Sequence, residues 1–466
     1  MTMFDIRRTI ALALGFTLLS SAAGAAGLFD PATATEMRDS RPSPAAPGAL
    51  RSRLVRLNTD ELARILPAGA DRAPDRLRRA RGLSAAVTID LFPGLSVRAE
   101  RTDVDAPEEG GFVWSGKGTG HGDAFVTLVV NDGEVLGHVQ TGGKLYSVEQ
   151  VSGEVHRIIE IDQSKIRGDI HLTPPATSLK PRTEASPSTA ETAEAVTEIR
   201  VMVAHTVKAR QEIGTSLQMQ NRINQAIALA NKAFLNSGVH IKFRRVGGAN
   251  EMPATYNEAR LYGGLNTDAN YGNLLCDLTG VTGAAWGCSN NRTGVFADLR
   301  TKRTTVGADL VILMRQGGAA CGIAWLGGFN NGNVGAATAE DESIAYSIVT
   351  STKGSPYNCI EGNTLAHEAG HNMGMNHDRT TDDLVDAPSS QFNFGYINKN
   401  AKFATVMAYG STCDELALAS CARIPFFSTP LKTYNGRPVG VAAGRVGAAD
   451  GARRLNLNRG IVAGWR

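Results

Sequence analysis

Cysteine is absent from the first 275 residues of this 466-residue chain. All six cysteines follow (Cys276, Cys288, Cys321, Cys359, Cys413 and Cys421), and none forms a Cys-x-x-Cys pair. A closed structural zinc site built on paired thiolates is therefore not indicated. Aromatics are scarce, at 6%. No run reaches the roughly 20 apolar residues that a membrane-spanning helix needs, so no span is expected in the mature form. Neither charge sign dominates: 48 Lys and Arg face 45 Asp and Glu, for a formal net charge of +3. No basic stripe with interleaved aromatics accompanies that balance, so no nucleic-acid partner is expected. No strict Gly-X-Y period organises the 51 glycines, which excludes collagen and leaves a chain rich in turns. Hydrophobic residues at 42% exclude wholesale disorder. No convincing internal repeat is present.

The N-terminus carries a short positive region (Arg7, Arg8), an apolar stretch at 10–19 and small residues at 20–26 with Ala23-Gly24-Ala25 as a cleavage box. That order reads as a signal peptide over 1–26, and places the mature protein outside the cell or in the periplasm. In such a compartment an even cysteine count reads as three disulfides. Six cysteines allow 15 pairings, and sequence does not choose among them. The expectation is nearest neighbours: Cys276 with Cys288, Cys321 with Cys359, Cys413 with Cys421.

Two units and a linker organise the rest. Residues 27–171 read as a β-rich domain, with a short helix near Thr59, which would cap it, and alternating strands from 86 onward. Asn131-Asp132-Gly133 is a strong hairpin signal within it. Arg72, Arg76, Arg78, Arg79 and Arg81 read as a solvated face. Arg167-Gly168-Asp169 is given no adhesive role. Residues 172–195 hold Pro174, Pro175, Pro181 and Pro187 among small polar groups, and read as a linker that proteases can cut. Residues 196–466 read as strand, helix, strand and further strands: 199–204, then a helix over 216–236 ending at Gly238, then 239–246, 308–314 and 345–349. That pattern predicts a layered sheet with helices.

Chemistry concentrates in Thr364-Leu-Ala-His367-Glu368-Ala-Gly-His371-Asn-Met-Gly374-Met-Asn-His377-Asp378. His367 and His371, four apart, share one helix face and can grip one ion. Glu368 stands beside the first ligand. Gly374 suits a helix end that only glycine adopts cheaply, and the reversal returns His377 as a third ligand. Three imidazoles leave one position open, the design of a catalytic rather than a structural zinc site.

The spacing H-E-x-x-H-x-x-G-x-x-H resembles the zinc motif of the metzincin metalloproteases. Asp378 and the run His-Asn-Met-Gly-Met-Asn-His-Asp resemble the reprolysin (adamalysin-like) branch. Phe403-Ala-Thr-Val-Met407-Ala-Tyr409-Gly410 resembles the Met-turn, in which Met407 is a packing residue beneath the metal. Tyr409 two residues later is more similar to the astacin and serralysin branches, where a Tyr approaches the zinc or the transition state; a buried Tyr with a satisfied hydroxyl is the competing reading. Gly322-Ile323-Ala324-Trp325-Leu326 resembles the sheet edge that pairs with an extended substrate. Residues 424–430 and 453–465 resemble the ends of bacterial reprolysin-like proteases, some of them peptidyl-Asp endopeptidases. The resemblance covers 196–466 and is strongest over 364–410; the first unit is only loosely similar to their propeptides. It implies an α+β fold, with a twisted mixed sheet, helices and a zinc cleft above a Met-turn, preceded by a β-rich propeptide-like domain.

The implied activity is that of a secreted zinc endopeptidase acting on internal peptide bonds of proteins or peptides. One zinc ion polarises the carbonyl and activates a water, and Glu368 is the general base. The alternative is a non-catalytic zinc-containing binding module on the same fold. The chain's own propeptide is the expected inhibitor. With no cysteine before 276 a thiol cannot block the zinc, so a carboxylate or one of His121, His138, His156 and His171 is the candidate. Lys402, Arg423 and Lys432 are the cations that an Asp preference would draw on. Asp382, Asp383 and Asp386 are calcium candidates, at a spacing that fits no defined calcium loop. A monomer is expected.

Overall fold

The computed structural model of the chain describes residues 27–39, 48–65, 85–108, 110–118, 123–166, 168–173, 195–253, 256, 268–283, 286–288, 293–317, 320–330, 333–351 and 358–466. The expected signal peptide, the arginine cluster at 72–81, His121 and nearly all of the Pro-rich linker lie outside them. Period-two alternation in the first unit builds one nine-stranded sheet. Its strands are β1 (Phe29–Pro31), β2 (Ala49–Leu57), β3 (Ala86–Phe92), β4 (Leu95–Asp105), β5 (Phe112–Gly118), β6 (Ala124–Asn131), β7 (Glu134–Thr141), β8 (Lys144–Ser152) and β9 (Val155–Ile161). The spatial order is β1-β2-β9-β8-β7-β6-β5-β4-β3, antiparallel throughout. Asp132 (φ 49°) and Gly133 (φ 83°) close β6 onto β7, both in the left-handed region that a two-residue hairpin turn demands. One face buries Trp114, Val126, Leu128, Tyr146 and Ile158. The short helix Thr59–Ile65 is capped from Asn58, whose Oδ1 accepts from Glu61 N at 3.1 Å, and not from Thr59 as the sequence suggests.

The second sheet is mixed. Its strands are β10 (Ile170–Leu172), β11 (Thr197–His205), β12 (Ile241–Glu251), β13 (Leu310–Arg315) and β14 (Gly322–Trp325). After a small hairpin of β15 (Phe329–Asn330) and β16 (Asn333–Val334), β17 (Tyr346–Thr350) completes it. The order is β10-β14-β17-β13-β11-β12. Only β14 runs against its neighbour β17; β10 lies parallel to β14 on the outer side. Residues 170–172 therefore join the second sheet, so the two sheets do not part at residue 171. The nearest-neighbour disulfides are present: Cys276–Cys288, Cys321–Cys359 and Cys413–Cys421.

The long helix Ser216–Ser237 sits between the two sheets. Thr215 and Gln218 form a capping box at its start, and Gly238 (φ 71°) ends it in the left-handed region. Ile223, Ile227, Ala230 and Phe234 pack onto the second sheet. Its other side meets the first: Ala228 packs on Val113 and Val129, and Asn221 bonds both Asn131 and Glu134. Arg222, 2% exposed, lies between Glu361 and Glu149, one from each unit. Phe125 of the first sheet packs edge-on against Phe426 of the second unit, with ring centroids 5.6 Å apart.

Among the described residues no helix is long and apolar enough to cross a membrane. The first sheet carries one testable pH dependence. His156 is fully buried, with Nδ1 donating to Glu154 O at 2.9 Å, and burial lowers its pKa from 6.5 to about 4. Between those values the unfolded chain binds a proton that the native sheet does not, so stability falls as pH falls. The loss amounts to roughly 3 kcal/mol at pH 4. Thermal melts at pH 7 and pH 4 should show a larger loss for the wild type than for His156→Gln; equal losses would refute the assignment.

Candidate active site

The helix Thr364–Asn372 is wholly buried and carries the motif. Asn372 pins its end to the second sheet, with Nδ2 donating to Trp325 O at 3.0 Å and Tyr346 O at 3.1 Å. Gly370 lets the helix settle on Met407: a Cβ there would stand 2.5 Å from Met407 Sδ. Gly374 takes φ 94°, and a Cβ would lie 2.5 Å from Gly335 O, so no other residue fits without displacement. The chain reverses there and returns His377 to the first two imidazoles.

His371 Nε2 lies 3.0 Å from both His367 Nε2 and His377 Nε2. Each ring is fixed from behind. His367 Nδ1 meets Val406 O at 2.8 Å, His371 Nδ1 meets Met375 O at 2.8 Å, and His377 Nδ1 meets Asp382 Oδ1 at 2.7 Å. Those acceptors hold the ring protons on Nδ1, so three Nε2 lone pairs face one point. Mutual repulsion there calls for a cation. A tetrahedral ion with bonds of about 2.0–2.1 Å sets its nitrogens about 3.3 Å apart, close to what is seen. The donor set fits a metal.

Glu368 is fully buried, and neither carboxylate oxygen makes a hydrogen bond. Burial, then the Asp169 carboxylate, raises it well above the ordinary value. It fits only because Gly322 has no side chain: a Cβ there would be 2.3 Å from Glu368 Oε1. Asp169 Oδ2 is 3.7 Å from His367 Nε2, and Asp169, His367 and Glu368 bring ligating atoms within 4.8 Å of one another. Burial lifts Asp169 to about 6, opposed by Arg423, His377 and the Gly322 N–H. Two buried carboxylates facing three lone pairs again favour a cation. Tyr409 lies against His377, ring centroids 4.5 Å apart, and burial raises its phenol far above the ordinary value. Asp378 ties this corner together, accepting from Thr381 N at 3.0 Å and Tyr409 N at 3.2 Å.

The other expected residues scatter. Gly322, Ile323, Ala324 and Trp325 form β14, but Ile170–Leu172 covers its outer side. His138 and His156 lie buried in the first sheet: His138 faces Glu361 O at 3.1 Å, and His156 sits between Glu154 and Val135. His171 lies on β10. Lys402 and Lys432 are exposed, whereas Arg423 is 4% exposed. Asp382 spends both oxygens on His377, and among the described residues the calcium candidates form no ligating cluster. Asp169 escapes sequence reasoning. It reads only as the end of an Arg-Gly-Asp tripeptide, and a lone Asp before a Pro-rich stretch is too common to carry weight.

A buried three-histidine centre with an adjacent carboxylate and a Met beneath the helix defines a metallopeptidase. Residues 195–436 match the model of the reprolysin-like metallopeptidases of family M12B, more than half of the chain, and the chain belongs to that family. It is a metalloendopeptidase. A peptidyl-Asp metalloendopeptidase of Stenotrophomonas maltophilia is 26% identical over 98% of this chain and 97% of its own length. Another, from Xanthomonas campestris pv. campestris, is 26% identical over 80% of each. Among solved structures, metalloproteinase-II from Bacteroides fragilis is 15% identical, covers 65% of this chain and 84% of its own, and has a TM-score of 0.36.

Asp382 orients His377 without touching the metal position, and removing it should loosen the ion. Asp382→Ala is expected to lower metal affinity by roughly 10–100-fold, read by competition with a chelator, with little change in melting of the metal-free chain. An unchanged affinity would deny Asp382 this role.

Proposed function

We propose that this chain is an exported zinc endopeptidase, made with an N-terminal β-rich propeptide, that cuts proteins beside acidic residues. The convergence of His367, His371 and His377 Nε2 carries the reading. These three imidazoles would hold a zinc ion, which would supply Lewis acidity to the scissile carbonyl. Strand β14 aligns an extended peptide through backbone hydrogen bonds. Glu368 takes the proton of the attacking water and delivers it to the leaving amine. Tyr409 keeps its phenolic proton at neutral pH and donates it, in a hydrogen bond, to the developing oxyanion. Met407 supports the helix beneath the imidazoles. Three disulfides and the residues at 1–26 support export.

The relatives' names suggest the acidic preference. Arg423 is the cation that supports it: it is buried, its Nη2 makes no hydrogen bond, and it stabilises the ionised form of Asp169. An acidic side chain arriving there would satisfy it.

The test is digestion of a denatured protein by processed enzyme, with cut sites read by mass spectrometry. Glu368→Gln should abolish cleavage and leave one metal ion per chain. Cleavage by that variant would remove Glu368 from the mechanism, and metal-loaded wild-type enzyme that cuts nothing would favour the binding module. Arg423→Gln should lower kcat/KM on Asp-flanked sites by at least about 100-fold relative to other sites. Cuts without acidic neighbours in the wild type would refute the preference.

A further inference from the structure

Asp169 stands 198 residues before His367, in the unit that precedes the catalytic motif. Its side chain is completely buried, 3.7 Å from His367 Nε2, and neither oxygen makes a standard hydrogen bond. An ionised group placed so costs several kcal/mol unless a cation meets it. Arg423 meets part of that charge, and a metal held by the imidazoles would stand beside the Oδ2 oxygen to meet the rest. Carboxylate oxygen is also an accepted fourth ligand beside three nitrogens.

The backbone holds Asp169 in place from both sides. Before it, Ile166 packs into a cluster of Leu145, Ile159 and Ile161 from the first sheet and the Cys321–Cys359 disulfide of the second unit. Gly168 lies flat on Tyr409: a Cβ would come within 2.5 Å of the ring, and Gly168 O accepts from Cys321 N at 3.3 Å. After it, Ile170–Leu172 pairs in parallel with Ile323–Trp325 and takes the outer edge of β14. The segment thus covers the edge that a substrate needs, and the group it brings to His367 is a side-chain carboxylate. A carboxylate offers no amide bond to hydrolyse, so the segment blocks the site without being consumed there.

We propose that Asp169 is the fourth metal ligand of the intact chain, and that the strand Ile170–Leu172 is its internal anchor, which keeps the enzyme latent until the chain is cut after residue 173. While the chain is continuous, the carboxylate competes with water at a high effective concentration; a cut makes that competition dilutable. This rests on the metallopeptidase reading of His367, His371 and His377, and the test separates the two.

The uncut full-length chain is loaded with Co2+, whose visible spectrum reports its ligands. Asp169→Asn should change the spectrum, speed metal removal by dipicolinate by about tenfold or more, and raise the activity of the uncut chain on a short peptide. Gly168→Ala keeps the carboxylate but must lift the segment from Tyr409, and should act in the same direction; it decides the matter if Asp169→Asn does not fold. Co2+ bound by the wild type and lost in His371→Ala, with spectrum and removal rate unchanged in both segment variants, overturns the inference and leaves the metallopeptidase reading intact. A wild-type chain that binds no Co2+ overturns both.

Discussion

Everything at the centre depends on three imidazoles being denied a choice of tautomer. Each Nδ1 faces an oxygen that can only accept, so each Nε2 must present a lone pair. Those oxygens come from three different places: Val406 next to Met407, Met375 just past the Gly374 reversal, and Asp382 in the turn after His377. The active-site helix alone would supply two rings at the right spacing with nothing to fix their protons. The turn at Val406 and Met407, the glycine reversal and the turn after His377 are therefore conditions of the metal site rather than decoration around it.

Close packing transmits that demand outward. Gly370 exists to admit Met407, Gly322 to admit Glu368, and Gly395 to let the Met-turn backbone pass, since a Cβ there would lie 2.6 Å from Ala408 N. Each is a place where the backbone comes too near a neighbour for any side chain. Interiors are bistable rather than compliant at such contacts, so small displacements would reach the imidazoles through Val406, one residue before Met407. Asp378 extends the same logic: by accepting from both Thr381 and Tyr409 it locks the turn that carries Asp382 to the turn that carries Met407.

What could be read from the sequence is what is local along the chain. His367, Glu368, His371, Gly374 and His377 lie within one helix and one turn, so spacing alone places them. The helix Ser216–Ser237 carries its own start and stop signals in Thr215, Gln218 and Gly238. The hairpin at Asp132-Gly133 is equally self-contained. Contacts between distant segments are not encoded in this way. Asp382 looks like a loose acid until His377 turns back onto it. Arg423 looks like any surface cation until Gln140 and Gln163 of the first unit close over its backbone. Asp169 meets His367 only because β10 crosses to the second sheet, and no pattern around residue 169 announces that crossing.

The junction between the two units is built so that a cover could leave without stranding charge. Arg222 is its most buried cation, and breaking one partner from a buried pair is normally expensive. Here Glu149 comes from the first sheet, but Glu361 and Gln225 belong to the second unit and stay with Arg222. Lys232 would lose Thr102 and gain water, which relieves the burial that now lowers its pKa to about 8. Asn221 would exchange Asn131 and Glu134 for solvent at little cost. The apolar part of the contact has three patches: Phe125 among Ile424, Phe426 and Tyr434, Ala228 beneath Val113 and Val129, and Leu145, Ile159, Ile161 and Ile166 on the Cys321–Cys359 disulfide. At the rim, the exposed ion pairs of Arg244 with Glu108 and Lys242 with Asp105 fix orientation more than they supply affinity. On the proposed latent arrangement, covalent continuity through residue 169 adds to these contacts, and a cut beyond that residue would weaken the hold of the first unit on the metal site.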